Sequence, residues 1–389
     1  MIGEVRIENY KSIQKLKLEL GRVTVLIGEN GCGKSNILEA IALASAAADD
    51  KLDNEFLASR GIRVTEPQLM RSAFKIDNLV KDIKIELRGN EGQPFSCILQ
   101  NDNSPYSQWV IKNFFGDTET SIKKAVKIVI DKYGGLQKIL SILEEETNFS
   151  EQELSTRLKK DFQSFFLITF FDKFIIYSPE NQALRTFEKE GQIQPLGING
   201  EGLFKLLKFL SSDHLQQLNE IKKKLQLIDW FQDFEAPPNL SNIQNSLQIK
   251  DRYLDTDLPY FDQRSSNEGF LFLLFYFALF ISDITPNFFA IDNIDASLNP
   301  RLCRRLMQEL VELAKKHDKQ VIFTTHNPAV LDGLDLDDEE QRLFVIYRNQ
   351  LGHSKARRIL KPKTIEEQEP VKLSEAFLRG YIGGLPKNF

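Results

Sequence analysis

Three short runs of this chain carry no charged position: Val23-Thr24-Val25-Leu26-Ile27, Phe288-Phe289-Ala290-Ile291 and Val321-Ile322-Phe323-Thr324. Runs of that length without alternation predict strands buried on both faces, as in a parallel sheet. Ile83-Lys84-Ile85-Glu86-Leu87 instead alternates apolar with charged, the period of a strand with one wet face. Helical spacing follows the first run, where Ile37, Leu38, Ile41 and Leu43 sit among alanines. It returns at Ile122, Val126, Ile130 and Tyr133, and then at Leu136, Ile139, Leu140 and Leu143. A further helical pair is predicted near residues 203 to 232. The twelve residues Phe270 to Ile281 are all apolar, too few to span a bilayer, and predict a buried helix.

These elements divide the chain into three stretches. Residues 1–105 hold strand-like pieces around a glycine-rich loop, residues 106–170 read as a compact helical insertion, and residues 171–389 return to strand–helix alternation. The predicted fold class is α/β, a mixed sheet with flanking helices that carries a helical insertion. A chain of 389 residues can bury one large core, or a large core plus a smaller insertion. Its 42% hydrophobic and 27% charged residues describe an ordinary soluble protein. The net charge of −5 argues against a uniformly basic nucleic-acid binder, while leaving room for a local basic groove. Cys32, Cys97 and Cys303 form no pairing pattern and the four histidines are scattered. That speaks against a zinc site and for a reducing, cytoplasmic setting. Glu4, Arg6 and Glu8 interrupt any signal-peptide pattern.

The glycine-rich loop carries the chemistry. Gly28-Glu29-Asn30-Gly31-Cys32-Gly33-Lys34-Ser35 fits G-x-x-x-x-G-K-S between a predicted strand and a predicted helix, the context a phosphate-binding loop requires. Glycines let the backbone turn so that its amides converge on phosphate oxygens, and the helix N-terminus adds a favourable dipole. Lys34 is expected at the β- and γ-phosphates and the Ser35 hydroxyl on Mg²⁺. Gly28, Asn30, Gly31, Gly33 and Asn36 complete the expected nucleotide-binding set. Asp292 closes the second apolar run, where a carboxylate holds Mg²⁺ from the side opposite such a loop.

From Asp292 the chain continues Asn293-Ile294-Asp295-Ala296-Ser297-Leu298-Asn299-Pro300-Arg301, and the third run later opens into Thr325-His326-Asn327-Pro328. This order resembles the second half of an ABC-type ATPase head, of the branch shared by RecF, SMC and OLD-type ATPases. Met1 to Leu20 resembles the first two strands of those heads, with Asn9-Tyr10-Lys11-Ser12 at their turn. Gly200-Glu201-Gly202-Leu203 resembles their "G-x-N-L" segment, with Gly202 where asparagine is usual. The resemblance implies ATP and Mg²⁺ as cofactors, His326 at the γ-phosphate or the attacking water, and two heads closing around nucleotide. No heptad run is long enough for an SMC arm, and the short stretch after His326 leaves no room for an OLD-type nuclease. A lone head is expected.

In such heads a signature precedes the helix that leads to the Mg²⁺ aspartate. Arg264-Ser265-Ser266-Asn267-Glu268-Gly269 stands in that place, with either Ser266 or Asn267 as the phosphate-facing residue; both are also ordinary helix caps. The family usually has glutamate after the aspartate, to polarise water. Asn293 can accept a hydrogen bond from water but cannot take its proton. Either hydrolysis is slow and the ATP-bound state long-lived, or the base lies elsewhere, with Asp295 as the candidate. Gln68 is the nearest candidate for the family's Mg²⁺-contacting glutamine and reads equally as a solvated loop residue. Tyr177 to Glu180 with Arg185 reads as structural, and Arg301, Arg304 and Arg305 as a solvated helix face. The implied function is an ATP-binding, slowly hydrolysing head that forms a homodimer or higher homo-oligomer. It would regulate a separately encoded effector, a nuclease or toxin, as stand-alone heads resembling this one do in anti-phage systems. A RecF-like DNA-repair ATPase and a non-hydrolysing nucleotide-bound scaffold stand beside it. No membrane partner is expected.

Overall fold

The computed structural model describes residues 1–89, 94–113, 167, 169–186, 195–236, 246–258, 260–361 and 371–385. In chain order its strands begin with β1 (Ile2–Tyr10), β2 (Ile13–Glu19), β3 (Val23–Ile27), β4 (Ile83–Gly89), β5 (Phe95–Gln100), β6 (Val110–Asn113) and β7 (Ile176–Tyr177). There follow β8 (Phe231–Glu235), β9 (Gln248–Asp251), β10 (Phe261–Asp262), β11 (Phe288–Ile291), β12 (Gln320–Thr324), β13 (Gln341–Arg348) and β14 (Ser354–Ile359). They make a five-stranded sheet of order β2-β1-β4-β5-β6, a six-stranded sheet of order β14-β13-β3-β12-β11-β7, and a small sheet of order β10-β9-β8.

The five-stranded sheet is antiparallel throughout. In the six-stranded sheet, β13, β3, β12, β11 and β7 run parallel and only β14 is antiparallel. All three uncharged runs lie in its parallel part, and each is buried on both faces. Successive residues serve different cores. Val23, Val25 and Ile27 of β3 join one cluster with the helices Leu203–Asp213, Leu215–Leu225, Glu268–Ile281 and Pro300–Lys316. Leu26 joins the other, between the two large sheets, with Val5, Ile7, Ile85 and the helix Lys34–Ala48. The helix Glu268–Ile281 is buried from Phe270 onward, as its unbroken apolar run predicts.

One expected boundary changes. Ile111 in β6 pairs with Leu99, so the antiparallel sheet continues past residue 105 and no helical insertion begins at 106. The helical spacing from Ile122 to Leu143 lies outside the described residues. The first stretch also shares its sheet with the last, because β3 is hydrogen-bonded between β12 and β13. Among the described residues no helix is long and apolar enough to cross a membrane.

Lys319, just before β12, shows what the core tolerates. It is 1% exposed, and its Nζ donates to Thr285 O at 2.9 Å, Thr285 Oγ1 at 3.0 Å and Pro286 O at 3.3 Å. Burial pushes its pKa down to about 8. Lys319→Ala strands those buried oxygens and should cost about 1–3 kcal/mol of stability in chemical denaturation. An unchanged midpoint would show that the ammonium group is dispensable there.

Candidate nucleotide site

Parallel strands end on the same edge of a sheet, and ligands of open α/β folds gather at their carboxyl ends. Here β3 delivers the glycine-rich loop to that edge, β11 delivers Asp292, and β12 delivers Thr325 and His326. The loop's backbone cannot be built from other residues. Gly28 has φ 148° and an added Cβ would lie 2.2 Å from Ile346 O. Gly33 has φ 108°, and there a Cβ would lie 2.1 Å from Ser354 Oγ and 2.7 Å from Ser12 Oγ. Gly33 starts the helix Lys34–Ala48 without any side-chain cap, leaving the first-turn amides open to an anion.

Lys34 is 7% exposed and its Nζ donates to Gly28 O at 2.8 Å and Glu29 O at 3.1 Å, spanning the loop. Burial holds its pKa below the ordinary lysine value, against the upward pull of Cys32 and the Asp292 carboxylate. The Cys32 thiol is pushed up by burial and so is kept protonated. Asn30 and Gly31 form the exposed rim. Asn36, expected to face nucleotide, instead turns back into the protein. Its Nδ2 donates to Ser12 Oγ at 2.6 Å, and its Oδ1 accepts from Arg63 Nη2 at 3.1 Å. Ser12 and Ser354 share a hydrogen bond of 2.6 Å, and Ser354 Oγ donates to Cys32 O at 2.6 Å. These residues brace the loop from behind. Ser12 lay in a motif visible in the sequence; Ser354 and Arg63 carried no local signal.

Ser35 Oγ donates to Asp292 Oδ2 at 3.1 Å, so the two expected Mg²⁺ ligands meet across the strand ends. The Thr324 hydroxyl donates to the other oxygen, Oδ1, and accepts from Asn293 N at 2.9 Å. A hydroxyl beside a carboxylate is a hard-oxygen pair that suits Mg²⁺, which keeps waters and takes further oxygens from phosphates. Among the described residues no three of His, Cys, Asp or Glu converge to hold a metal without such help. Bound there, the ion would offset the charge of the β- and γ-phosphates. Gln68 stands exposed on the short helix Pro67–Met70.

Asn293 is exposed and left-handed, with φ 55°, a conformation asparagine adopts more readily than most residues. Asp295 Oδ1 accepts from Thr325 Oγ1 at 2.5 Å, which ties the carboxylate to the residue before His326. The His326 ring is exposed at the strand end, yet the protein beside it still lowers its pKa through desolvation, followed by the Lys34 charge. Asp295 and Asp292 oppose that shift. A neutral imidazole at neutral pH follows, able to orient a water or meet a phosphate oxygen.

In the segment expected to carry the signature, Asn267 is exposed and Ser266 is buried. Asn267 is the N-cap of the helix Glu268–Ile281, its side chain accepting from Phe270 N at 2.8 Å. Ser266 is 4% exposed, and its hydroxyl has no hydrogen-bond partner among the described residues. Ser265 is exposed, with its hydroxyl donating to Asp262 Oδ1 at 3.3 Å, and no local pattern singled it out. Arg185, read as structural, reaches this segment: its Nη1 donates to Arg264 O at 2.6 Å.

Residues 23–332 match the family described as "AAA domain, putative AbiEii toxin, Type IV TA system". An uncharacterized Methanocaldococcus jannaschii protein, MJECL10, is 40% identical over 67 residues, 16% of this chain and 31% of that protein. The DNA replication and repair protein RecF of Bacillus thuringiensis is 38% identical over 55 residues, 14% of this chain and 15% of RecF. The chain thus spans less than a third of the length of these relatives. An SMC head solved bound to the C-winged helix domain of ScpA shares the fold, with a TM-score of 0.52 at 14% identity over 92% of this chain and 98% of that one. With the phosphate loop, Asp292 and His326 on one sheet edge, the chain belongs to this AAA family and has the fold of an SMC head.

Proposed function

We propose that this head is a slow ATP-operated switch in the cytoplasm. ATP with Mg²⁺, held by the loop, Lys34, Ser35 and Asp292, closes two copies head to head, and the closed pair controls a separately encoded effector in anti-phage defence. One observation supports the reading: Lys34 spans the glycine-rich loop and Ser35 meets Asp292, whereas the residue after Asp292 offers no carboxylate. A switch needs contacts that exist only in one nucleotide state, and a long-lived ATP state lengthens the signal. Light scattering with and without ATP tests it. The same mass and shape in every nucleotide state would favour a static scaffold. Ser265→Arg, placed on the exposed hydroxyl and sparing the Asn267 cap, should block pairing while leaving ATP affinity within about twofold.

The RecF match favours a second reading, a DNA-binding repair ATPase. The outer face of the five-stranded sheet counts against it as a phosphate track. Several of its cations are paired within the face: Arg6 with Glu4 at 2.6 Å, Lys15 with Glu8 at 2.7 Å and Lys17 with Glu4 at 2.9 Å. Duplex binding that weakens steeply with salt would restore the DNA reading.

A further inference from the structure

The loop after Asp292 holds two non-glycine residues in the left-handed region, Asn293 at φ 55° and Ser297 at φ 59°. Such backbone is costly and persists only where its surroundings over-determine it. For Ser297 those surroundings form a continuous relay. Its Oγ donates to Glu268 Oε2 at 2.7 Å, and Glu268 is the first residue of the helix Glu268–Ile281. Glu268 Oε1 accepts from Asn181 Nδ2 at 2.6 Å. Asn181 Oδ1 accepts from Arg185 Nε at 2.7 Å, and Arg185 Nη1 donates to Arg264 O. The bonds therefore leave the 292–299 loop, cross the helix start and return to the 263–267 loop. One further bond reinforces this path: the Tyr276 hydroxyl donates to Ile294 O at 3.4 Å.

Exposed bonds of this kind add little to global stability, so their value lies in geometry. We infer that Glu268 is a positioning residue: it locks the 263–267 loop and the 292–299 loop into one unit, presented together to the nucleotide of a second copy of this chain. The inference rests on the head-to-head reading. Two loops that moved separately would each lose freedom on closure, and coupling them in advance removes part of that cost.

Hydrogen exchange on the nucleotide-free chain tests the coupling without any pairing. Glu268→Ala should speed exchange in both loops about tenfold, the effect of one lost charge-assisted hydrogen bond. With ATP and Mg²⁺, the affinity of a single copy should stay within about twofold while pairing weakens about tenfold. Glu268→Ala combined with Ser297→Ala should be no worse than Glu268→Ala alone, because both remove the same link. Glu268→Gln keeps an acceptor for Asn181 and should recover part of the pairing. Exchange that rises only around residue 268, or pairing in Glu268→Ala equal to the parent's, overturns the inference. A parent that never pairs on ATP overturns the head-to-head reading and the trans role with it, and the exchange result then shows separately whether the loops are coupled.

Discussion

Lys34→Ala should weaken ATP–Mg²⁺ binding about 10²-fold or more. The ammonium group now spans the loop between Gly28 O and Glu29 O at 7% exposure. Removing it leaves two carbonyl oxygens facing a triphosphate. A hydrogen bond to a charged group is worth about 1.5–3 kcal/mol, and a lysine bridging two phosphates makes two of them. The helix amides remain, so the loss is large without being a loss of fold. Calorimetry reads the affinity, and an unchanged thermal midpoint confirms that the loop persists. Undiminished affinity would remove Lys34, and the loop with it, from nucleotide binding.

Asn293→Glu should raise ATP turnover by up to ~10²-fold, the usual size of a general-base contribution. The carboxylate would enter beside Asp292, with His326 across the same edge. The backbone sets a ceiling on the gain: φ 55° suits asparagine, and a residue with a longer side chain there costs about 1–2 kcal/mol. Asn293→Gly relaxes the backbone without adding a carboxylate, and so separates the two effects. His326→Ala should lower turnover in every background. Steady-state phosphate release decides among them. Fast turnover in the parent, no gain in Asn293→Glu and none left in Asp295→Ala would make Asp295 the base and end the slow-switch reading. Its bond to Thr325 already places Asp295 next to His326.

Local pattern revealed what depends on local sequence. The three uncharged runs, the helix at Phe270 to Ile281 and the glycine-rich loop were legible because strand burial, helix burial and phosphate binding each leave a mark within a dozen residues. The Ser35–Asp292 meeting was legible through the order of motifs, although the residues are far apart in sequence. What stayed hidden depends on tertiary placement. That Ser266 is buried while Ser265 and Asn267 are exposed is set by where the helix begins. Ser354 behind the loop is one serine at the start of an edge strand, and only its position against Ser12 and Cys32 makes it a brace. Gln68 is undecided by sequence for the same reason: a glutamine in a loop says nothing about the direction in which the loop points.

The place of β3 between β12 and β13 bears on how the protein is made. Synthesis delivers the phosphate loop early, but the strands that flank β3 emerge roughly three hundred residues later. At ~5–20 residues per second the motif waits on the order of 15–60 s for its neighbours. Until then the edge that carries Asp292 and His326 does not exist, and neither does Ser354 behind the loop. A growing polypeptide therefore carries the loop without the power to read nucleotide. On the switch reading proposed above, only a copy translated through β13 and β14 has the parts to join a closed pair.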